Sequence, residues 1–293
     1  MDRDTNMNLL KTLLISILIV LIFINIISIQ LILVFAQTFL EPSFYERIGA
    51  EQKFYAQIRQ LMFRLINRSL PNGREGMPYI EKALTENWLE IELNQLIGEF
   101  LSFAKGRSDE PPIIPIYKLK DEVAQFIEGD KTLDEKQKMV QFWFDPLPDK
   151  IRLQDFISIQ LISVIRERVI AINRLFWILL GLVVLLSGIV YAVVRDWKTA
   201  MLWITTASMA SGIQSIFIAL NVEWLFKRSS YVIELYNSIA AFEIPEESVW
   251  GLIYAFENGF TESLILIGSI IAIISGAIIY FVPIKERSLT LVK

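Results

Sequence analysis

Asn25, Ser28, Gln30 and Gln37 lie in a run without a single charge, Leu13 to Leu40, and Gln214 lies in another, Thr199 to Val222. A side-chain amide carries both donors and acceptors, and hydrocarbon offers neither. If these runs cross a membrane, Asn25, Gln30 and Gln214 must find partners on neighbouring helices or line a polar pathway. Asn25 and Gln214 both fall near mid-depth and could meet. Glu223 and Glu262 stand at one end of their runs, with Glu234, Glu243, Glu246, Glu247 and Glu257 nearby in sequence. Such an acidic mouth would concentrate cations, or would be the ordinary charged boundary of a solvated loop.

Other chemistry is restricted by composition. The chain has no Cys and no His. This excludes disulfides, thiolate nucleophiles, Cys/His zinc sites, His-ligated haem and a Ser-His-Asp triad. It also removes the common side chain that titrates near neutrality. The adjacent acids Asp121/Glu122 and Asp134/Glu135 would point to different sides of a helix, a poor arrangement for a general acid and base. The net charge of −4 gives no support for nucleic-acid binding. No phosphate-cradling Gly-rich loop or dinucleotide fingerprint is present. The expectation is a protein with no cofactor, no metal site and no catalytic centre.

The elements that position these side chains are apolar runs. About 28 residues from Leu13 to Leu40, rising about 1.5 Å each, make a helix of roughly 42 Å. The hydrocarbon core is about 30 Å thick. A secretory signal has an apolar region of only about 7–15 residues, so this run is expected to stay as a span. Three more uncharged runs follow: Leu175 to Val194, Thr199 to Val222 and Leu264 to Ile284. The predicted fold is all-α: an integral membrane four-helix bundle with a helical extracytoplasmic domain on helical extensions of spans one and two. Its parts are a head (1–12), span one (13–40), the outer domain (41–174), span two (175–194), a turn (195–198), span three (199–222), an outer loop (223–260), span four (261–284) and a tail (285–293).

Charge flanking the short segments sets the orientation. Arg3, Lys11, Arg195, Lys198, Lys285, Arg287 and Lys293 fall on one side, against Lys227 and Arg228 in the short loop opposite. The positive-inside rule then places both termini in the cytoplasm of a cell-membrane protein. Trp177, Trp224, Tyr191, Trp197, Trp203 and Tyr280 lie near the predicted boundaries, where indole and phenol rings favour the headgroup level.

Spans three and four carry small residues every fourth position. Ala207, Ser211, Ser215 and Ala219 form one row with Ser208 and Gly212 beside it, and Gly268, Ala272 and Gly276 form another. Such rows let helix backbones approach closely. Span two has Gly181 and Gly188, two turns apart.

In the outer domain, apolar periodicity predicts one helical stretch over 43–70 and another over 79–104 with a break near Thr85. A helix over 118–127 follows, then one opened by the capping box Thr132/Glu135, then a helix from about Arg152 continuing into span two. Amphipathic helices are expected over 231–242 and 246–256 of the outer loop, on the membrane surface or over the outer domain. The segments "EPSFYERI", "KFY", "ENWLEIELNQLIGEFLSFAKGRSD" and "IPIYKLKDEVAQF", with the four spans, resemble bacterial four-span membrane proteins that carry a helical extracytoplasmic domain after the first span. The chain departs from them in Pro111-Pro112. The resemblance implies a fold plan and no activity. Two functional classes follow from the residues: a ligand- or partner-binding assembly module working with a membrane protein partner or a second copy, and an oligomeric channel or small transporter subunit.

Overall fold

The computed structural model of the chain describes residues 3–51, 54–69, 77–129, 149–152, 159–224 and 246–290. The Thr132/Glu135 capping box, the amphipathic segment 231–242, and Asp134, Lys227, Arg228, Glu234 and Glu243 lie outside the described residues.

Four helices are long and apolar enough to cross a membrane: α1 (Arg3–Phe39), α7 (Ile159–Val194), α8 (Trp197–Leu220) and α9 (Glu246–Thr290). They make the chain a multi-pass membrane protein. Between α1 and α7 lie α2 (Pro42–Glu51), α3 (Phe54–Ser69), α4 (Met77–Ala83), α5 (Glu86–Ala104), β1 (Ile113–Ile114), α6 (Ile116–Glu128) and β2 (Ile151–Arg152). The chain divides into two units: Met1–Leu40 with Ala171–Val232 and Tyr254–Lys293, and Glu41–Ile170 with Ile233–Ile253.

The membrane unit is held by α1 packing along α8. Leu18 and Ile22 of α1 share one buried cluster with Leu186 and Val190 of α7 and Ala200 and Ala207 of α8. Farther along, Val34, Ala219 and Leu264 bring α1, α8 and α9 together. The chain turns between α7 and α8 in two residues. Arg195 takes a left-handed φ of 59°, and its N–H donates to the Tyr191 carbonyl at 2.8 Å. Asp196 then caps α8, accepting from the backbone N–H groups of Lys198 and Thr199 and from the Thr199 hydroxyl. An acid at a helix N-terminus satisfies orphan donors and complements the dipole. The hydrogen bonds from Thr199 hold the Asp196 carboxyl below the usual carboxylate range. Trp177, Tyr191, Trp197, Trp203, Trp224 and Tyr280 are all exposed.

The second unit has its own core. Ile80, Ala83, Leu84, Leu89, Leu119, Val123 and Ile127 are buried together, with Ile58, Met62 and Trp88 against them. The break before α5 has a local cause. The Thr85 hydroxyl accepts from the Trp88 N–H at 3.1 Å and starts a new helix. Arg59 closes the end of α4, donating from Nε to the Leu84 carbonyl at 2.6 Å and from Nη2 to the Glu81 carbonyl at 3.1 Å. A cation there meets the negative end of the helix dipole. Gly106 follows α5 with a φ of +72°, a conformation that disfavours a side chain.

Three sequence expectations are corrected. The helix of span one does not extend past residue 40: α1 ends at Phe39, the chain bends at Leu40, and Pro42 opens a separate helix. A proline suits the first helical turn and not an interior one. Arg152 does not start a helix. Ile151 and Arg152 pair antiparallel with Ile114 and Ile113, and the described part of α7 begins at Ile159. The amphipathic segment 246–256 is not a separate loop helix. It is continuous with span four in the 45-residue α9, because no Pro falls between Pro245 and Pro283 and a helix tolerates Gly251, Gly259 and Gly268 at modest cost.

Candidate functional site

The membrane unit concentrates its buried polar groups where α1, α8 and α9 converge. Gln30 of α1 and Ser211 and Ser215 of α8 are completely buried. Gln30 donates from Nε2 to Ser211 Oγ at 3.1 Å. Ser211 in turn donates to the Ser208 carbonyl of its own helix at 2.7 Å. Gln30 Oε1 and Ser215 Oγ are buried with no hydrogen-bond partner among the described residues. One more hydroxyl pair, Thr38 Oγ1 and Ser263 Oγ at 3.4 Å, links α1 to α9.

The small residues explain how this convergence is reached. A Cβ on Gly212 would lie 2.5 Å from the Gly268 carbonyl oxygen and 2.9 Å from the Ala272 nitrogen. A Cβ on Gly268 would lie 2.7 Å from the Gly212 carbonyl oxygen. Backbone therefore meets backbone at this crossing, and only glycine fits on either side. Ala207, Ser211, Ser215 and Ala219 are all buried on α8. A Cβ on Gly276, Gly181 or Gly188 would meet nothing within 4 Å among the described residues.

Asn25 and Gln214 do not meet. Asn25 turns its amide to the Leu21 carbonyl one turn back at 2.7 Å. Gln214 is half-buried and forms no hydrogen bond among the described residues. Helix phase decides this: Gln214 follows the exposed Ile213 on α8, whereas Ser211 and Ser215 sit on the buried row. Gln37 is exposed. Glu223 is exposed just beyond the end of α8 and Glu262 is exposed within α9, whereas Glu257, five residues before it on α9, is buried. The burial of Glu257 escaped the sequence reading because that reading placed it in a loop. Glu257 lies between Phe256 and Phe260, which both approach the Phe39 ring, and that flanking pair of aromatics was the available signal.

In the second unit the polar groups cluster between α5 and α6. Lys118 Nζ donates to both carboxylate oxygens of Glu92 at 2.7 and 2.8 Å and to Gln95 Oε1 at 3.3 Å. The Glu92 hydrogen bond raises the Lys118 pKa. Glu122 shares this side of α6, and burial, helped by the Glu92 charge, raises its pKa. Asp121 is exposed, so the adjacent acids diverge. Tyr55 donates to Asn94 Oδ1 at 2.8 Å and ties α3 to α5. Arg166 of α7 lies 4.9 Å over the Phe103 ring and donates to Asp109 at 2.9 Å.

The chain matches no family model, no curated protein and no solved structure. The buried node holds amides, hydroxyls and glycine backbone, groups that join helices and orient weak dipoles. Among the described residues there is no cluster of acids or histidines able to hold a metal ion.

Proposed function

We propose that this protein is a non-enzymatic ligand- or partner-binding assembly module of the cell membrane. Its termini lie in the cytoplasm, and its second, helical unit lies outside, carried by the outer part of α7. α7 supports that arrangement: 36 residues at about 1.5 Å each give roughly 54 Å, well beyond the hydrocarbon thickness of about 30 Å.

The observation that carries the proposal is the uneven use of small residues. Gly212 and Gly268 are consumed by a crossing within the chain, whereas a Cβ on Gly181 or Gly188 of α7 would meet nothing within 4 Å among the described residues. Only 11% of the apolar window is buried in α7 and in α9, against 28% in α1 and α8. A glycine row on a lipid-facing span lowers helix propensity without internal benefit, and close approach by a further helix supplies one. The partner is a second membrane protein or another copy of this chain.

Proteins that co-purify after mild solubilisation test this directly. Recovery of the chain alone, as a monomer, would remove the proposal. A second reading, an oligomeric channel or small transporter subunit, draws on the unpaired Gln30 Oε1 and Ser215 Oγ. Flux of ions or solutes through liposomes carrying the purified chain would replace the first reading with it.

A further inference from the structure

A groove of about 550 Å³ opens on the membrane unit at the end where α7 turns into α8. Tyr191 and Trp197 stand at its mouth, Ile204 and Ser208 line it along α8, and Ile271 and Ile278 form the facing wall on α9. Its polar atoms are largely withdrawn. Thr205 donates to the Met201 carbonyl at 2.6 Å and Ser208 to the Ile204 carbonyl at 3.0 Å, each within α8. Ser275 of α9 adds one more hydroxyl, and the rest of the wall is mostly apolar side chain.

Length and charge identify an occupant. From Trp197 to Ser208 the groove runs eleven helical steps, about 16 Å. That is close to half of the roughly 30 Å hydrocarbon core, the depth of one leaflet. The ring-bearing mouth adjoins the two-residue turn, which brings Arg195 four residues beyond Tyr191 and Lys198 directly after Trp197. Arg195 is exposed and forms no ion pair among the described residues. Asp196, the acid between them, has its carboxylate occupied by the N-terminus of α8. A cation next to an apolar slot one leaflet deep matches a phospholipid with a negative headgroup.

We propose that this groove is a binding site for one anionic phospholipid, its acyl chain along α8 and its phosphate at Arg195 and Lys198. The site needs only the spanning of a membrane. It is independent of which side the turn faces and of whether the chain has a protein partner.

Native mass spectrometry of the full chain in detergent tests it, with phosphatidylglycerol and phosphatidylcholine of identical acyl chains added in equal amounts. A cation near the headgroup favours an anionic lipid about fivefold, so wild type should retain one phosphatidylglycerol with a preference of at least about fivefold. The double variant Arg195→Ala/Lys198→Ala should lose the preference, and Arg195→Lys/Lys198→Arg should keep it. Lys11→Ala, on another helix, should change nothing. Ser208→Phe should reduce retention of both lipids by filling the slot, with helicity by circular dichroism matching wild type. Equal retention of the two lipids by wild type would overturn the proposal, as would a preference that survives in the alanine double variant. If Ser208→Phe loses its helicity, Ile278→Trp fills the same slot from α9, and undiminished lipid retention there would also overturn it.

Discussion

Gln30 on α1 donates its amide to the hydroxyl of Ser211 on α8 across 3.1 Å, and both residues are wholly buried. The bond is asymmetric in its consequences. Ser211 has already given its own proton to the Ser208 carbonyl, so it needs nothing from Gln30. The Gln30 amide, by contrast, has no other acceptor among the described residues.

This asymmetry predicts unequal costs. Ser211→Ala strands a buried donor and should destabilise the chain by about 1–2 kcal/mol. Gln30→Leu removes that donor together with the unpaired Oε1, and should cost no more than about 0.6 kcal/mol, a typical intramembrane hydrogen bond. Unfolding of the full chain in mixed micelles by increasing denaturing detergent reads the difference. The reverse order would show that the Gln30 contact is not what Ser211 contributes.

Gly212→Ala and Gly268→Ala should each destabilise by about 1–3 kcal/mol, because the added carbon meets backbone that cannot rotate away. Gly276→Ala and Gly181→Ala meet nothing within 4 Å and should raise stability by a few tenths to about 1 kcal/mol through helix propensity. The same detergent titration compares the four. For Gly181, loss of a co-purifying partner alongside a gain in stability would separate an interface from internal packing.

Two carboxyls should respond to acid in opposite directions. Asp196 has a lowered pKa, so its contribution is complete above the ordinary carboxylate range and disappears as pH falls through the lower folded-state value. Asp196→Asn retains a capping acceptor and should weaken this acid sensitivity. Glu122 has a raised pKa, so the folded state binds a proton first. Its effect is to increase stability as pH falls through that raised value, and Glu122→Gln should supply the same gain already at neutral pH. Thermal unfolding between about pH 3 and 7 distinguishes the two, since each substitution flattens the profile with opposite sign.

The proposed orientation is testable because the chain has no native cysteine. Ser108→Cys should react with an impermeant maleimide added to intact cells, and Thr199→Cys should react only after the membrane is opened. The opposite pattern would invert the chain.

The spans were legible in the sequence because their signal is one-dimensional. Uncharged length against hydrocarbon thickness needs no knowledge of neighbours, and it marked the four long apolar helices. The Thr85 break and the helix over 118–127 were legible for a similar reason, since capping and apolar period act within a turn or two. Small residues at every fourth position marked a close approach in general. Which pair would touch depended on rotation and depth of one helix against another, and tertiary packing chose Gly212 and Gly268 while leaving Gly276 open. The same rotation sent Gln30 to Ser211 and turned Asn25 back on its own helix. The sequence alone determined that amides buried in hydrocarbon need partners. Only the tertiary structure decided which partners, because a hydrogen bond tolerates a few tenths of an ångström and a helical period leaves several.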